Sequence, residues 1–227
     1  MGSLTIAIMQ PYFLPYAGYF RLFAASDLFV IYDCVQFPRR GWVHRNRLMD
    51  SSGNSRWLTL PLQRAPQSVL IRDLEFPADA RETFAARLRP FPLTAKCPAN
   101  AAPVLEAMRD VGGRPVDYLE RLLKRVVDTL GLPWNVVRST ALAIPESLHG
   151  QDRILEIVKR LGARRYVNAS GGRSLYDCKA FEAIGIELEF LADYDGPSDS
   201  ILTRILTENR NDIAAQIRIS ASSSNAS

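Results

Sequence analysis

The sequence predicts a three-layer α/β fold: a mostly parallel sheet between helices, with a helical insertion at about residues 78–131. Three observations predict it. Short apolar, β-branched runs alternate with helical stretches at both ends of the chain. A strand at Thr5–Gln10, a short helix at Tyr16–Ala25 and a strand at Asp27–Asp33 have the spacing of a βαβ unit, which demands parallel strands and a right-handed crossover. The middle of the chain lacks that alternation and repeats its apolar residues at helical spacing instead.

The elements follow in order. TIAIMQ (5–10) is short, apolar and ended by Pro11, as a buried strand should be. Pro15 suits the first turn of the next helix. DLFVIYD (27–33) is a nearly continuous apolar strand. Cys34 to Arg56 is polar and basic with no clear period, so it reads as a long loop. WLTLPL (57–62) and VLIRDLEF (69–76) read as strands. Helices follow at 78–89, 101–111 and 116–130. In the last, Tyr118, Leu119, Leu122, Leu123, Val126, Val127 and Leu130 form one apolar stripe, and Gly131 closes it. Alternation resumes with a strand at 135–139, a helix at 152–161, a strand at 165–169, a helix at 177–184 and a strand at 186–191. One final helix runs from Asp199 to about Ile217, with Ser198 or Asp199 as its cap.

The 227 residues suit one domain, placed at 1–219, with a polar tail at 220–227 that is expected to be disordered. Apolar residues at 47% and charged residues at 23% are ordinary for a water-soluble protein. No apolar run is long enough for a membrane span, and no basic region precedes a long apolar core at the N-terminus, so a cytoplasmic location is expected. Cys34, Cys97 and Cys178 are odd in number and far apart, which fits reduced thiols. The net charge of +4 suits an anionic ligand and does not argue for nucleic acid.

Parallel sheets bind ligands beyond the C-terminal ends of their strands, and three segments fall there. In MQPYFLPYAGYF, Gln10 can present its amide, Pro11 and Pro15 stiffen the loop, and Tyr12, Tyr16 and Tyr19 offer apolar bodies with polar tips. Tyr16-x-Gly18-Tyr19 has the spacing of the His-x-Gly-His motif of nucleotidyltransferases, which points to a Rossmann-like sheet of the nucleotidyltransferase (HUP-like) kind. Both histidines are tyrosines here, so adenylyl transfer by the standard route is not expected; the alternative is that the tyrosines wedge the helix onto the sheet. In YDCVQFPRRGWVHRNR, Asp33 and His44 are candidates to move a proton. Gln36, Arg40, Asn46 and Arg47, with Arg39 and Arg45, are candidate contacts to phosphate or carboxylate, and Trp42 can stack on a ring. The bland reading is a solvated basic loop anchored by Trp42. In YVNASGGRSLYD, the Ser170-Gly171-Gly172 turn is a candidate anion site with Arg173 beside it. His149 reads as a loop or cap residue. No metal-ligand spacing occurs, and the residues name no cofactor.

IAIMQPYFLPYAGYFRLFAASDLFVIYDCVQFPRRGWVHRNRL, then WLTLPL and later LGARRYVNASGGRSLYD, resemble the WbqC-like protein family over roughly residues 4–210. The chain departs from that family in carrying Cys34 where an acid is usual and His44 where asparagine is frequent. It also has a short YDGPSDS segment before the last helix. The resemblance implies a bacterial setting in O-antigen, other cell-surface polysaccharide or specialised-metabolite biosynthesis. The expected function is a transferase acting on a nucleotide-activated sugar or on an amino or acyl group. The alternative is a non-catalytic nucleotide- or sugar-binding module that partners other pathway enzymes. Either way the expected partner is a phosphate-bearing small molecule.

Overall fold

The computed structural model describes residues 3–95 and 98–222. Cys97 and residues 223–227 of the expected tail therefore lie outside the described part. The elements are β1 (Thr5–Met9), α1 (Ala17–Ala24), β2 (Leu28–Ile31), β3 (Arg45–Met49), β4 (Ser55–Thr59), α2 (Ala80–Leu88), α3 (Ala102–Arg109) and α4 (Pro115–Thr129). They continue with β5 (Val136–Arg138), α5 (Gly150–Arg160), β6 (Arg165–Asn168), α6 (Cys178–Glu182), β7 (Glu187–Phe190), α7 (Ile201–Thr207) and α8 (Arg210–Ala221).

Five strands form one sheet in the order β5-β2-β1-β6-β7, and every pairing in it is parallel. The central strands β1, β2 and β6 are buried along most of their length. Along β1, Ala7 enters one core while Ile6 and Ile8 enter another; Val167 and Tyr166 of β6 divide the same way. The larger core takes α1, α3, α4, α7 and α8. There Phe23 stacks on Phe29 with ring centroids 4.0 Å apart. The smaller core takes α5 and α6. Burial of the apolar stripe of α4, including Tyr118, Leu119, Leu122, Leu123, Val126 and Val127, fixes the helical insertion against the sheet. Among the described residues no helix is long and apolar enough to cross a membrane.

Three elements differ from the sequence reading. The polar stretch after β2 holds a strand, β3, which pairs antiparallel with β4 as a separate two-stranded sheet. Only Asn46 and Leu48 of β3 face inward, so its alternation carries a single apolar residue. Residues 69–76 form no strand. Their backbone crosses the 33–37 segment through Arg72 N–H to the Asp33 carbonyl, Ile71 N–H to Val35 and an isolated bridge at Leu70, then coils into a 3₁₀ turn at Ile71–Asp73. The last helix is two helices. Ser200, and not Ser198 or Asp199, caps α7, and Asn209 starts α8 by accepting from the Asn211 N–H. The second of them runs past Ile217 to Ala221.

The chain proceeds outward from β1 to β2 and β5, then returns to β6 on the other side of β1. The order therefore reverses between β1 and β6, and a crevice opens beyond their C-terminal ends.

Candidate functional site

A cleft of about 970 Å³ occupies that crevice. One wall is the loop after β1 with the start of α1, a second is the end of β6 with the turn after it, and the third is the β3–β4 hairpin. Three of the five exposed large apolar side chains among the described residues, Trp42, Met49 and Leu175, sit on its rim.

The first wall explains the dense proline and tyrosine sequence. The loop backbone is held from three sides: Phe13 N–H donates to the Trp42 carbonyl, Asn46 Nδ2 donates to the carbonyls of Phe13 and Leu14, and Ser200 Oγ donates to Leu14 at 2.8 Å. Ile201 N–H binds the Pro15 carbonyl. These bonds hold Leu14 at φ 49°, a left-handed conformation that a leucine seldom adopts. Tyr19 is buried, its hydroxyl donates to the Gln10 carbonyl at 2.9 Å, and its ring lies 5.4 Å from that of Tyr12. Burial raises the phenol pKa of Tyr12, Tyr16 and Tyr19, so the wall presents neutral hydroxyls.

Gln10, Tyr12, Tyr16, Gly18 and Tyr19 all line the cleft. Gly18 does so for a reason of its own. A Cβ there would fall 2.2 Å from the Tyr16 ring and 2.9 Å from Tyr194, so protein rings and not a ligand fill the room the glycine leaves. Tyr194 is itself fixed beneath Arg21, a buried arginine that donates to the carbonyls of Ala192 and Ser220.

The hairpin wall sorts the basic residues. Arg45 donates to the carbonyls of Gly41 and Arg40 and stacks on Trp57. Arg39 donates to the Ala65 carbonyl. Arg47 stacks on Trp57 at 4.8 Å with no ion-pair partner among the described residues, and it is the cation of the cleft lining. Trp42 also lines the cleft, 5.3 Å from Trp57. Asn46 lines it as well, but its amide is engaged: Nδ2 holds the loop and Oδ1 accepts from the Arg47 N–H. Arg40 and Gln36 are outside the lining; Gln36 donates to the Gln67 carbonyl on the exposed surface.

Neither residue expected to move a proton lines the cleft. Asp33 is buried at the end of β2, where its carboxylate accepts from Ser139 Oγ, Thr140 N–H and Thr140 Oγ1 at 2.7–3.0 Å. Ser139 Oγ in turn accepts from the Asp33 and Cys34 N–H groups, closing a ring of bonds that ties β2 to the turn after β5. His44 packs its ring edge-on against Phe37, and its Nδ1 is buried without a hydrogen-bond partner among the described residues. Burial, then repulsion from Arg45 and Arg87, lowers its pKa to about 4.

Ser170, Gly171 and Gly172 line the second wall, after β6. They open a 3₁₀ helix, Ser170–Leu175, in place of a simple turn. The lining also takes in Tyr32, Trp57, Asn168, Tyr176 and Asp199, none of which is among the site candidates read from the sequence. Asp199 is the carboxylate of the lining, and Arg173 is not part of it. Among the described residues no group of three His, Cys, Asp or Glu side chains is placed to hold a metal ion.

The model of the WbqC-like protein family matches residues 10–198. An uncharacterized protein of Mycobacterium tuberculosis (strain ATCC 25618 / H37Rv), Rv1507c, is 27% identical over 208 residues, covering 86% of this chain and 84% of its own length. No solved structure matches the chain significantly.

Proposed function

The chain belongs to the WbqC-like protein family, and we propose that its strand-end cleft holds a nucleotide-activated sugar for transfer of the sugar, or of an amino or acyl group, in O-antigen, other surface polysaccharide or specialised-metabolite biosynthesis. The observation that carries the reading is the composition of the cleft: neutral tyrosine hydroxyls, a tryptophan pair and one unpaired guanidinium at the switch point of a parallel sheet. Counting only the strands of that sheet, their order is 3-2-1-4-5, the order of Rossmann-like nucleotide-binding sheets, and this supports a Rossmann-like or HUP-like assignment. Arg47 takes the phosphate, and Trp42 with Trp57 stacks on a ring. Asp199 replaces Asp33 and His44 as the group that handles the proton, because it alone among the lining residues is a carboxylate.

A non-catalytic binding module is the second reading. It is favoured by the closed hydrogen-bond ring around Asp33 and the neutral, enclosed imidazole of His44. Turnover separates the two. With nucleotide sugars and candidate acceptors, transfer is expected in the intact chain and about 10²–10⁴-fold slower in Asp199→Asn, with binding retained. Binding without transfer by the intact chain supports the module, and full transfer by Asp199→Asn removes the proton role.

A further inference from the structure

Asn168 is the last residue of β6 and is only 5% exposed, yet it lines the cleft. Its amide orientation is set by its neighbour. The Ala169 N–H donates to Oδ1 at 2.8 Å, so the oxygen must sit there and the NH₂ group faces the other way. That NH₂ has no hydrogen-bond partner among the described residues. It lies against Gly172, a second lining residue, where an added Cβ would come within 2.6 Å of Nδ2. The fold therefore does not engage this NH₂, and at a cleft wall it is free to donate to an acceptor brought from outside. Gln10 stands at the end of the adjacent strand β1, also in the lining and also without a side-chain partner among the described residues. Tyr32 and Tyr176 flank this end of the cleft, whereas Arg47 stands on the hairpin wall.

We infer that Asn168 and Gln10 form a specificity pocket for the hydroxylated ring of a sugar, with Asn168 Nδ2 donating to a ring hydroxyl and Gln10 offering both a donor and an acceptor to its neighbour. Two amides suit vicinal hydroxyls because each hydroxyl both gives and takes a hydrogen bond. Both side chains are uncharged, which suits a neutral ring. The ligand then spans the cleft, its sugar at the β1–β6 strand ends and its phosphate toward Arg47. The pocket rests on the proposed nucleotide-sugar reading and adds to it which end of the ligand goes where.

Asn168→Asp tests the pocket without emptying it, since the carboxylate still accepts from Ala169 N–H while the donor is lost. Gly172→Ala is the second variant: the glycine carries no left-handed backbone requirement, and its new Cβ displaces the Asn168 amide. The probes are UDP-, dTDP-, GDP- and CMP-linked sugars and the same nucleotides without sugar, titrated into the full chain by calorimetry. Both variants, and Gln10→Ala, are expected to bind the sugar-linked probe at least about tenfold more weakly, the cost of one lost hydrogen bond, while the bare nucleotide binds as before. Equal affinity of variant and native chains for the sugar-linked probe, or an equal loss for the bare nucleotide, overturns the pocket while leaving the nucleotide-sugar reading intact. Failure of every probe to bind the native chain overturns that reading, and the pocket with it.

Discussion

Burial holds His44 at a pKa of about 4, and the positive charges of Arg45 and Arg87 push in the same direction. The unfolded chain takes up this proton near pH 6.5, the folded chain only near 4. The contribution of the neutral imidazole is therefore fully present above about pH 6.5 and is lost progressively as pH falls toward 4. Replacing His44 by Phe, which suits the contact with Phe37, should flatten that part of the stability profile by roughly 1–3 kcal/mol. Urea unfolding of both proteins at pH 7 and pH 4.5 measures it; parallel losses in the two would show that His44 is not the titrating group. Asp33 is a carboxylate engaged by the fold. A carboxylate at a strand end invites a proton-transfer role, but here three donors from Ser139 and Thr140 occupy it.

At the scale of elements, the loop after β1 and the β3–β4 hairpin depend on each other. Asn46 reaches across from β3 to the carbonyls of Phe13 and Leu14, and Leu14 keeps its left-handed conformation within that grip. Asn46→Ala should destabilise the fold by about 1–3 kcal/mol, the cost of removing the donor to the Phe13 carbonyl and one of the two donors to the Leu14 carbonyl. Thermal unfolding and amide exchange at Phe13 and Tyr16 check this: an unchanged melting temperature with native protection would mean the loop holds itself. Strands β1 and β2 were legible because each is an apolar run with its middle buried on both faces, TIAIM and LFVI. The stripe of α4 was legible because its apolar residues recur at helical spacing on one face. Strand β3 was not, since its inward positions are Asn46 and Leu48 and its outward ones two arginines and a methionine. The segment 69–76 misled in the opposite way. Its apolar content is real, but the buried Ile71 and Leu74 are three residues apart, and a 3₁₀ turn delivers them inward instead of a ladder. The break between α7 and α8 was hidden because Arg204 pairs with Glu208 as it would in one continuous helix, before Asn209 starts another.

For the whole molecule, topology alone locates the cleft, because the reversal of strand order between β1 and β6 falls where the tyrosine loop and the Ser170–Gly172 turn meet. Those two segments were readable from sequence as strand-end loops. Trp57 and Asp199 were not, since they reach the cleft from the β3–β4 hairpin and from the segment before α7, far along the chain. The same geometry divides the arginines, placing Arg47 in the lining and leaving Arg40 outside it. Calorimetric titration of nucleotide-linked sugars into the native chain, Arg47→Ala and Arg40→Ala is the most direct test of the cleft as the ligand site. Arg47→Ala should bind about 10–100-fold more weakly, matching the roughly 1.5–3 kcal/mol of a charge-assisted hydrogen bond, and Arg40→Ala should bind like the native chain. Undiminished binding by Arg47→Ala, or a loss confined to Arg40→Ala, would contradict it.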